Sequence, residues 1–198
     1  ELQGLARDHS RLRIIKFDVV DFESLPGLVD QVWEAVGSSG LNLLINNAGI
    51  TETKQIQMLG GPFERLEPQM FSTILETNTT APLMIIKALL PLLRQAAAAG
   101  GAEEHLSVKR AAVVNISSIQ GSMGAFTGQP APYGYRASKC VSNLVSKFPT
   151  MGDTWPSRHG FCNNVITLNS KYPGSECSVK QEIFVAVARQ NDWILTVQ

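Results

Sequence analysis

The stretch Leu41-Asn42-Leu43-Leu44-Ile45-Asn46-Asn47-Ala48-Gly49 is a short apolar run that stops on small and polar residues. Its apolar part, 41–45, is nearly continuous rather than alternating, the pattern of a strand buried in a parallel sheet covered on both faces. Toward the N-terminus, residues 12–17 form a second short, β-branched run that stops at Asp18. Between the two, Leu25, Leu28, Val29, Val32, Trp33 and Val36 recur at helical spacing, and Gly37 with Gly40 supplies a stop. Toward the C-terminus the pattern predicts a long helix over 68–94, with a stripe of Phe71, Leu75, Leu83, Ile86, Leu89, Leu90 and Leu93. Pro82 and Pro91 should bend or divide it. A surface connection at 95–104, a third strand at 111–116 and a helix over 135–148 follow. Strand and helix thus alternate, which predicts an α/β, doubly wound parallel sheet with right-handed crossovers. Ligands bind such sheets outside the carboxyl ends of the strands. Asp18, Asn46 to Gly49 and Ser117-Ser118 each lie just past a predicted strand end, so three polar clusters converge on one edge.

The chain has 198 residues, enough for one domain or one domain with an appendage. Lysine plus arginine and aspartate plus glutamate are both 17, so no global field points to nucleic acid or an acidic membrane as a partner. No apolar run long enough to span a bilayer is expected, and residues 1–4 lack the pattern of a signal peptide, so a cytoplasmic location is expected. The three cysteines, Cys140, Cys162 and Cys177, have no Cys-x-x-Cys spacing, and His9, His105 and His159 are isolated. Neither a disulfide framework nor a metal site is indicated.

Chemistry enters with Tyr135-Arg136-Ala137-Ser138-Lys139. A tyrosine and a lysine four residues apart share one helix face, so the ammonium can favour the ionised phenol. That moves a group of ordinary pKa ~10 toward the range useful in proton transfer. Tyr133 has Ala137 at the same spacing, so only Tyr135 has a cationic partner. Asn46-Asn47-Ala48-Gly49 would let a flat ligand approach the backbone, and a serine of Asn115-Ile116-Ser117-Ser118 can hydrogen-bond a carbonyl oxygen on which charge grows. Each motif alone also reads as an ordinary helix surface, turn or strand end.

In order and spacing, these runs resemble the short-chain dehydrogenase/reductase family, with Glu76-Thr77-Asn78-Thr79-Thr80-Ala81-Pro82 between the first two. Within it, Leu44 to Ile50, Leu90-Pro91-Leu92-Leu93 and Tyr133-Gly134-Tyr135-Arg136 look like the sniffer and C-factor-like carbonyl reductases. The resemblance implies a Rossmann-like fold and an oxidoreductase that reduces aldehydes, ketones or quinones with NADP(H), ahead of NAD(H), as cofactor. It implies that Tyr135 donates the proton, that Lys139 lowers the tyrosine pKa and holds the nicotinamide ribose, and that Ser118, or Ser117 if the register slips by one, binds the carbonyl oxygen. Asn78 would position a water leading from Lys139 to solvent. Asp18 with Val19 would meet the adenine, and Asn46, Asn47, Ala48 and Gly49 would line the nicotinamide side. A homodimer through the long helix and the Tyr135 helix is a further expectation.

The family's opening strand and glycine-rich phosphate loop have no counterpart in this sequence, so the Rossmann-like sheet is expected to be incomplete, without its first βαβ elements and with an uncovered edge. The residue that selects NAD or NADP is absent with them. After Lys147 the pattern departs again, and Pro173-Gly174 is the one candidate for a nicotinamide-touching turn. Residues 1–148 therefore read as a partial family domain and 149–198 as a divergent segment, with a strand at 165–168 and a helix or strand pair within 179–194. Two functions follow: a carbonyl reductase impaired by the missing loop, or a non-catalytic Rossmann-like protein acting through a partner. A serine hydrolase is disfavoured, because Gly121-Ser122-Met123-Gly124 is not a nucleophile elbow.

Overall fold

The computed structural model describes residues 2–52, 63, 66–99, 111–125, 128, 132–146, 161–168, 185–189 and 192–197. In chain order these form α1 (Leu2–Asp8), β1 (Leu12–Lys16), α2 (Leu25–Val36), β2 (Leu43–Asn46), α3 (Pro68–Leu75), a π turn (Glu76–Thr80), α4 (Ala81–Ala99), β3 (Ala111–Ser118), α5 (Tyr133–Val145), β4 (Phe161–Leu168), β5 (Val185–Arg189) and β6 (Asp192–Val197). One sheet holds all six strands in the order β1-β6-β5-β2-β3-β4. Strands β2, β3 and β4 are parallel neighbours, and β6 is parallel to β1. Strand β5 runs antiparallel to both β2 and β6.

The expected parallel sheet is thus mixed. The stretch 179–194, read as a helix or a strand pair, supplies a hairpin that lies between β1 and β2, pairing Val185 with Asn46 and Val197 with Lys16. The edge expected to be uncovered is occupied by this hairpin.

Helices α2 and α4 bury Leu28, Val32, Val36, Ile85, Leu89 and Leu93 against Ile15, Leu44 and Val113. Burial of a large aliphatic side chain stabilises by about 1.5–3 kcal/mol. Asn115 and Ser117, two and four residues beyond Val113 on the same face of β3, bond to Ser146 and Asn143 at the C-terminal part of α5 and just after it. So α2, α4 and α5 share one face of the sheet. On the other face Ile14, Leu43, Ile45, Val114 and Ile116 are only half-buried among the described residues, where cover on both faces was expected.

The long helix is divided just before Pro82, as its sequence suggests, and departs from expectation at Pro91 and at its C-terminal end. Pro82 has no N–H for the carbonyl four residues back, and the chain widens there into the π turn, which buries Thr77, Asn78 and Thr79. Pro91 is tolerated inside α4, which runs on to Ala99 instead of ending at 94. The alanines that suggested a loop favour helix, and Ala96 and Ala97 are buried. Trp33, placed on the core stripe of α2, is 48% exposed. Pro68–Ala99 is long and apolar enough to cross a bilayer, against expectation, but half of its apolar window is buried inside the fold, which accounts for that composition.

Candidate active site

Strands β2 and β3 end side by side, with Asn46 in register with Asn115. Asn46 donates to Asn115 Oδ1 at 2.8 Å, Asn115 donates to Ser146 Oγ at 3.1 Å, and Ser146 donates to the carbonyl oxygen of Ser142 at 2.6 Å. This chain of amides and hydroxyls ties the two strand ends to α5. Asn46 Oδ1 is buried without a partner among the described residues, an acceptor left over at the mouth of the sheet.

Serines 117 and 118 are the last two residues of β3 rather than the start of the loop. They face different partners because strand residues alternate. Ser117 donates to Asn143 Oδ1 at 2.6 Å. Ser118 is near enough to the phenol of Tyr135 to lower its pKa, and accepts the N–H of Gln120 at 3.2 Å. The geometry therefore separates the two serines: Ser118 stands at Tyr135 and Ser117 holds α5 to the sheet.

Lys139 lies one turn after Tyr135 on α5, with 5% of its surface exposed. Its ammonium donates to the carbonyl oxygen of Ile116 at 2.8 Å and sits 5.6 Å from the centre of the Tyr135 ring. Burial lowers its pKa to about 8. Burial also raises the pKa of Tyr135, partly offset by the Ser118 hydrogen bond. This corrects the expectation that the lysine moves the phenol downward. Burial of the phenol is the largest cause of the upward direction.

Asn78 joins three elements from the π turn. Its Oδ1 accepts the N–H of Ile50 at 2.8 Å, while its amide donates to the carbonyl of Ile50 at 2.8 Å and to Ser138 Oγ at 2.9 Å. Thr79 donates to the carbonyl of Ser138 at 3.0 Å. A Cβ added at Gly49 would lie 3.4 Å from Asn78 Oδ1 and 3.6 Å from Lys139 Nζ, so the loop after β2, the π turn and α5 meet here. Asn47 is exposed and Ala48 buried. In contrast, Asp18 is exposed, accepting the N–H of Val20 at 3.1 Å, and the side chain of Val19 is in the core. With β6 and β5 between β1 and β2, Asp18 stands about three strand spacings, some 14 Å, from Asn46. Only an extended ligand would reach both.

One functional candidate had no sequence signal. Glu52 is 4% exposed, and its carboxylate accepts the N–H groups of Gly134 and Tyr135 at the start of α5. An acid 82 positions from the amide it binds makes no local capping pattern. An open groove of about 280 Å³ lies beside the site, lined by Gln120, Gly121, Ser122, Met123, Arg136, Ala137 and Cys140. Among the described residues no group of His, Cys, Asp or Glu side chains could hold a metal ion. Cys177, His105, His159 and Pro173-Gly174 lie outside the described residues.

Residues at the nicotinamide end fit a dinucleotide: small residues, a leftover buried acceptor, and a lysine beside a tyrosine. The phosphate end does not fit among the described residues. The strand next to β2 there is β5, which enters at Val185 opposite Asn46 instead of leaving toward a helix N-terminus.

The family model described as short chain dehydrogenase matches residues 2–148. Human retinol dehydrogenase 16 is 34% identical over 139 residues, which covers 70% of this chain and 36% of that protein. Among solved structures, carbonyl reductase Sniffer of D. melanogaster is 35% identical with a TM-score of 0.70, covering 79% of this chain and 60% of that one. The NADPH-bound carbonyl reductase from chicken fatty liver is 34% identical with a TM-score of 0.72, covering 83% and 58%. The chain spans about a third of the length of the curated relatives it matches.

Proposed function

Because the chain belongs to the short-chain dehydrogenase/reductase family, we propose that its site serves NADP(H)-dependent reduction of a small aldehyde, ketone or quinone. The observation that carries this reading is the meeting of Ser118, Tyr135 and Lys139 at the carboxyl edge of β3: Ser118 is near enough to the phenol to lower its pKa, and the ammonium lies 5.6 Å from the centre of its ring.

Ser118 gives a hydrogen bond to the substrate carbonyl oxygen and fixes it beside the phenol. Tyr135 delivers its proton as negative charge grows on that oxygen. Its raised pKa keeps the phenol protonated and ready to donate at neutral pH. A nicotinamide held at this edge would supply hydride chemistry. Asn46 to Gly49 and Lys139 would hold that end of the cofactor, and Asp18 with the backbone at Val19 the adenine end. Lys139, largely charged below pH 8, carries the positive potential that favours the developing oxyanion.

The test is oxidation of NADPH with a reactive dicarbonyl or quinone, run on this chain and on Tyr135→Phe. Loss of the phenolic proton should cost at least about 100-fold in turnover. A second reading rests on the phosphate end, where β5 takes the place beside β2: the chain acts by binding a partner. Equal silence of both proteins, with NADPH binding absent in calorimetry, would favour it.

A further inference from the structure

Helix α5 begins after Pro132, whose side chain offers no cap to the first turn. The acceptor comes from far away in sequence. Glu52 Oε1 accepts the N–H of Gly134 and, at 3.3 Å, that of Tyr135, while Oε2 accepts the hydroxyl of Thr51 at 3.2 Å. The absence of a side chain at Gly134 admits this contact. A Cβ there would be 3.0 Å from Glu52 Oε1 and 3.1 Å from Ile74 Cδ1. Burying a carboxylate is costly unless it is well hydrogen-bonded, and a serine or aspartate at the position of Pro132 would cap the helix locally at no such cost. The segment that carries Glu52 also carries Asn46 to Gly49, and two residues before Glu52 it is held by Asn78 at Ile50.

We propose that Glu52 is a positioning residue of the active site: it clamps the first turn of α5 to the loop after β2 and so sets where Tyr135 stands relative to Ser118 and Lys139. The proposal rests on the reading of Tyr135 as proton donor, but its test needs no turnover. Among the described residues, the charged groups on the elements around Tyr135 are Lys139 and Arg136 on α5 and Glu52 on the loop; α3 and β3 contain none, and Glu76 of the π turn is exposed.

The experiment compares Glu52→Ala, Glu52→Asp and Glu52→Gln in the whole chain. It reads the ultraviolet titration of Tyr135, taken as the difference from Tyr135→Phe, and amide hydrogen exchange at Gly134 and Tyr135. Glu52→Ala should cut protection of both amides by at least about ten-fold. It should also lower the Tyr135 midpoint by about half a pH unit or more, since loosening the helix and removing an anion both act downward. Glu52→Gln keeps an acceptor oxygen and should keep the protection. Should the alanine variant fail to fold, Glu52→Asp decides, because its shorter side chain should lose protection as alanine does. Leu89→Ala, a core truncation in α4, should lower the melting temperature and leave the Tyr135 midpoint in place. Unchanged protection and midpoint in Glu52→Ala or Glu52→Asp overturn the proposal, as does a glutamine variant as unprotected as alanine or a Leu89→Ala shift of equal size. If the unaltered chain does not turn over NADPH, the proposed reaction fails while these readouts still judge the clamp.

Discussion

Lys139 donates a hydrogen bond to the carbonyl oxygen of Ile116 at 2.8 Å, and this bond anchors the cation to β3 two residues before Ser118. The ammonium is therefore placed by the strand that also places the serine. A shift of α5 along β3 would disturb both at once.

The first prediction concerns pH. Lys139 holds its proton less tightly in the folded chain, with a pKa of about 8 against 10.5. Between these values the unfolded chain carries a proton that the folded one lacks, so this group's contribution to stability rises with pH through that window, by at most about 3 kcal/mol. Below pH 8 its burial cost is fully present. Tyr135 has the opposite sign: its folded pKa is above 10, so its contribution falls as pH climbs past 10. Urea denaturation should show Lys139→Met more stable than the unaltered chain near neutrality, with the gap closing as pH rises toward 10. A constant gap would sink the argument.

The second concerns Asn78, whose side chain serves both backbone groups of Ile50 and the hydroxyl of Ser138. Asn78→Ala strips partners from groups in a largely buried junction. A loss of about 2–4 kcal/mol is expected at costs of ~1–3 kcal/mol for each buried group left unserved. Chemical denaturation measures it, and amide exchange at Ile50 should accelerate.

The third concerns Gly121, after β3. A Cβ there would come within 2.8 Å of the carbonyl carbon and 2.9 Å of Cβ of Lys139, with Asn143 Nδ2 at 3.0 Å. Backbone cannot yield as a flexible side chain does, so Gly121→Ala should push α5 away and cost about 1–3 kcal/mol. The same displacement should let water reach Lys139. Its titration, followed by NMR of the labelled lysine, should rise from about 8 toward 10.5; an unmoved midpoint would mean the helix had absorbed the methyl elsewhere.

Much of the site could be read from the sequence because its parts are local signals: an apolar run ending on Asn46, another ending on Ser118, and a tyrosine and lysine one turn apart. Each is a few residues long, and a parallel α/β order brings strand ends together without further information. The direction of the Tyr135 shift was not legible, since desolvation depends on what packs around the ring from other elements. Glu52 escaped for a similar reason. Its partners lie in a helix far along the chain, and nothing in Thr51-Glu52 marks it as a cap.

Where the strand pair inserts, between β1 and β2, was the least legible part of the fold. Val185 to Arg189 and Asp192 to Val197 alternate and cluster apolar residues in a way that allows helix or strand, and which strands they join is decided by the gap between β1 and β2. No periodicity within 179–194 records the width of that gap. Thr77, Asn78 and Thr79 likewise read as helix, and the wide turn that buries them comes from a proline whose effect falls four residues earlier.

The placement of the hairpin has a consequence in time. Leu12 pairs with Trp193, so β1 acquires its neighbour β6 only after β2, β3, β4 and β5 have been made. Helices α2 and α4 can collapse on β2 and β3 early, but β1 must then wait, tethered through α2, while a slot beside it stays open. Pairings so distant in sequence are slow to form, and a half-built sheet with a vacant interior is the species most exposed to capture by another chain. Yield of folded protein should therefore depend more on how quickly strands β5 and β6 reach the sheet than on the strength of any contact in the finished site.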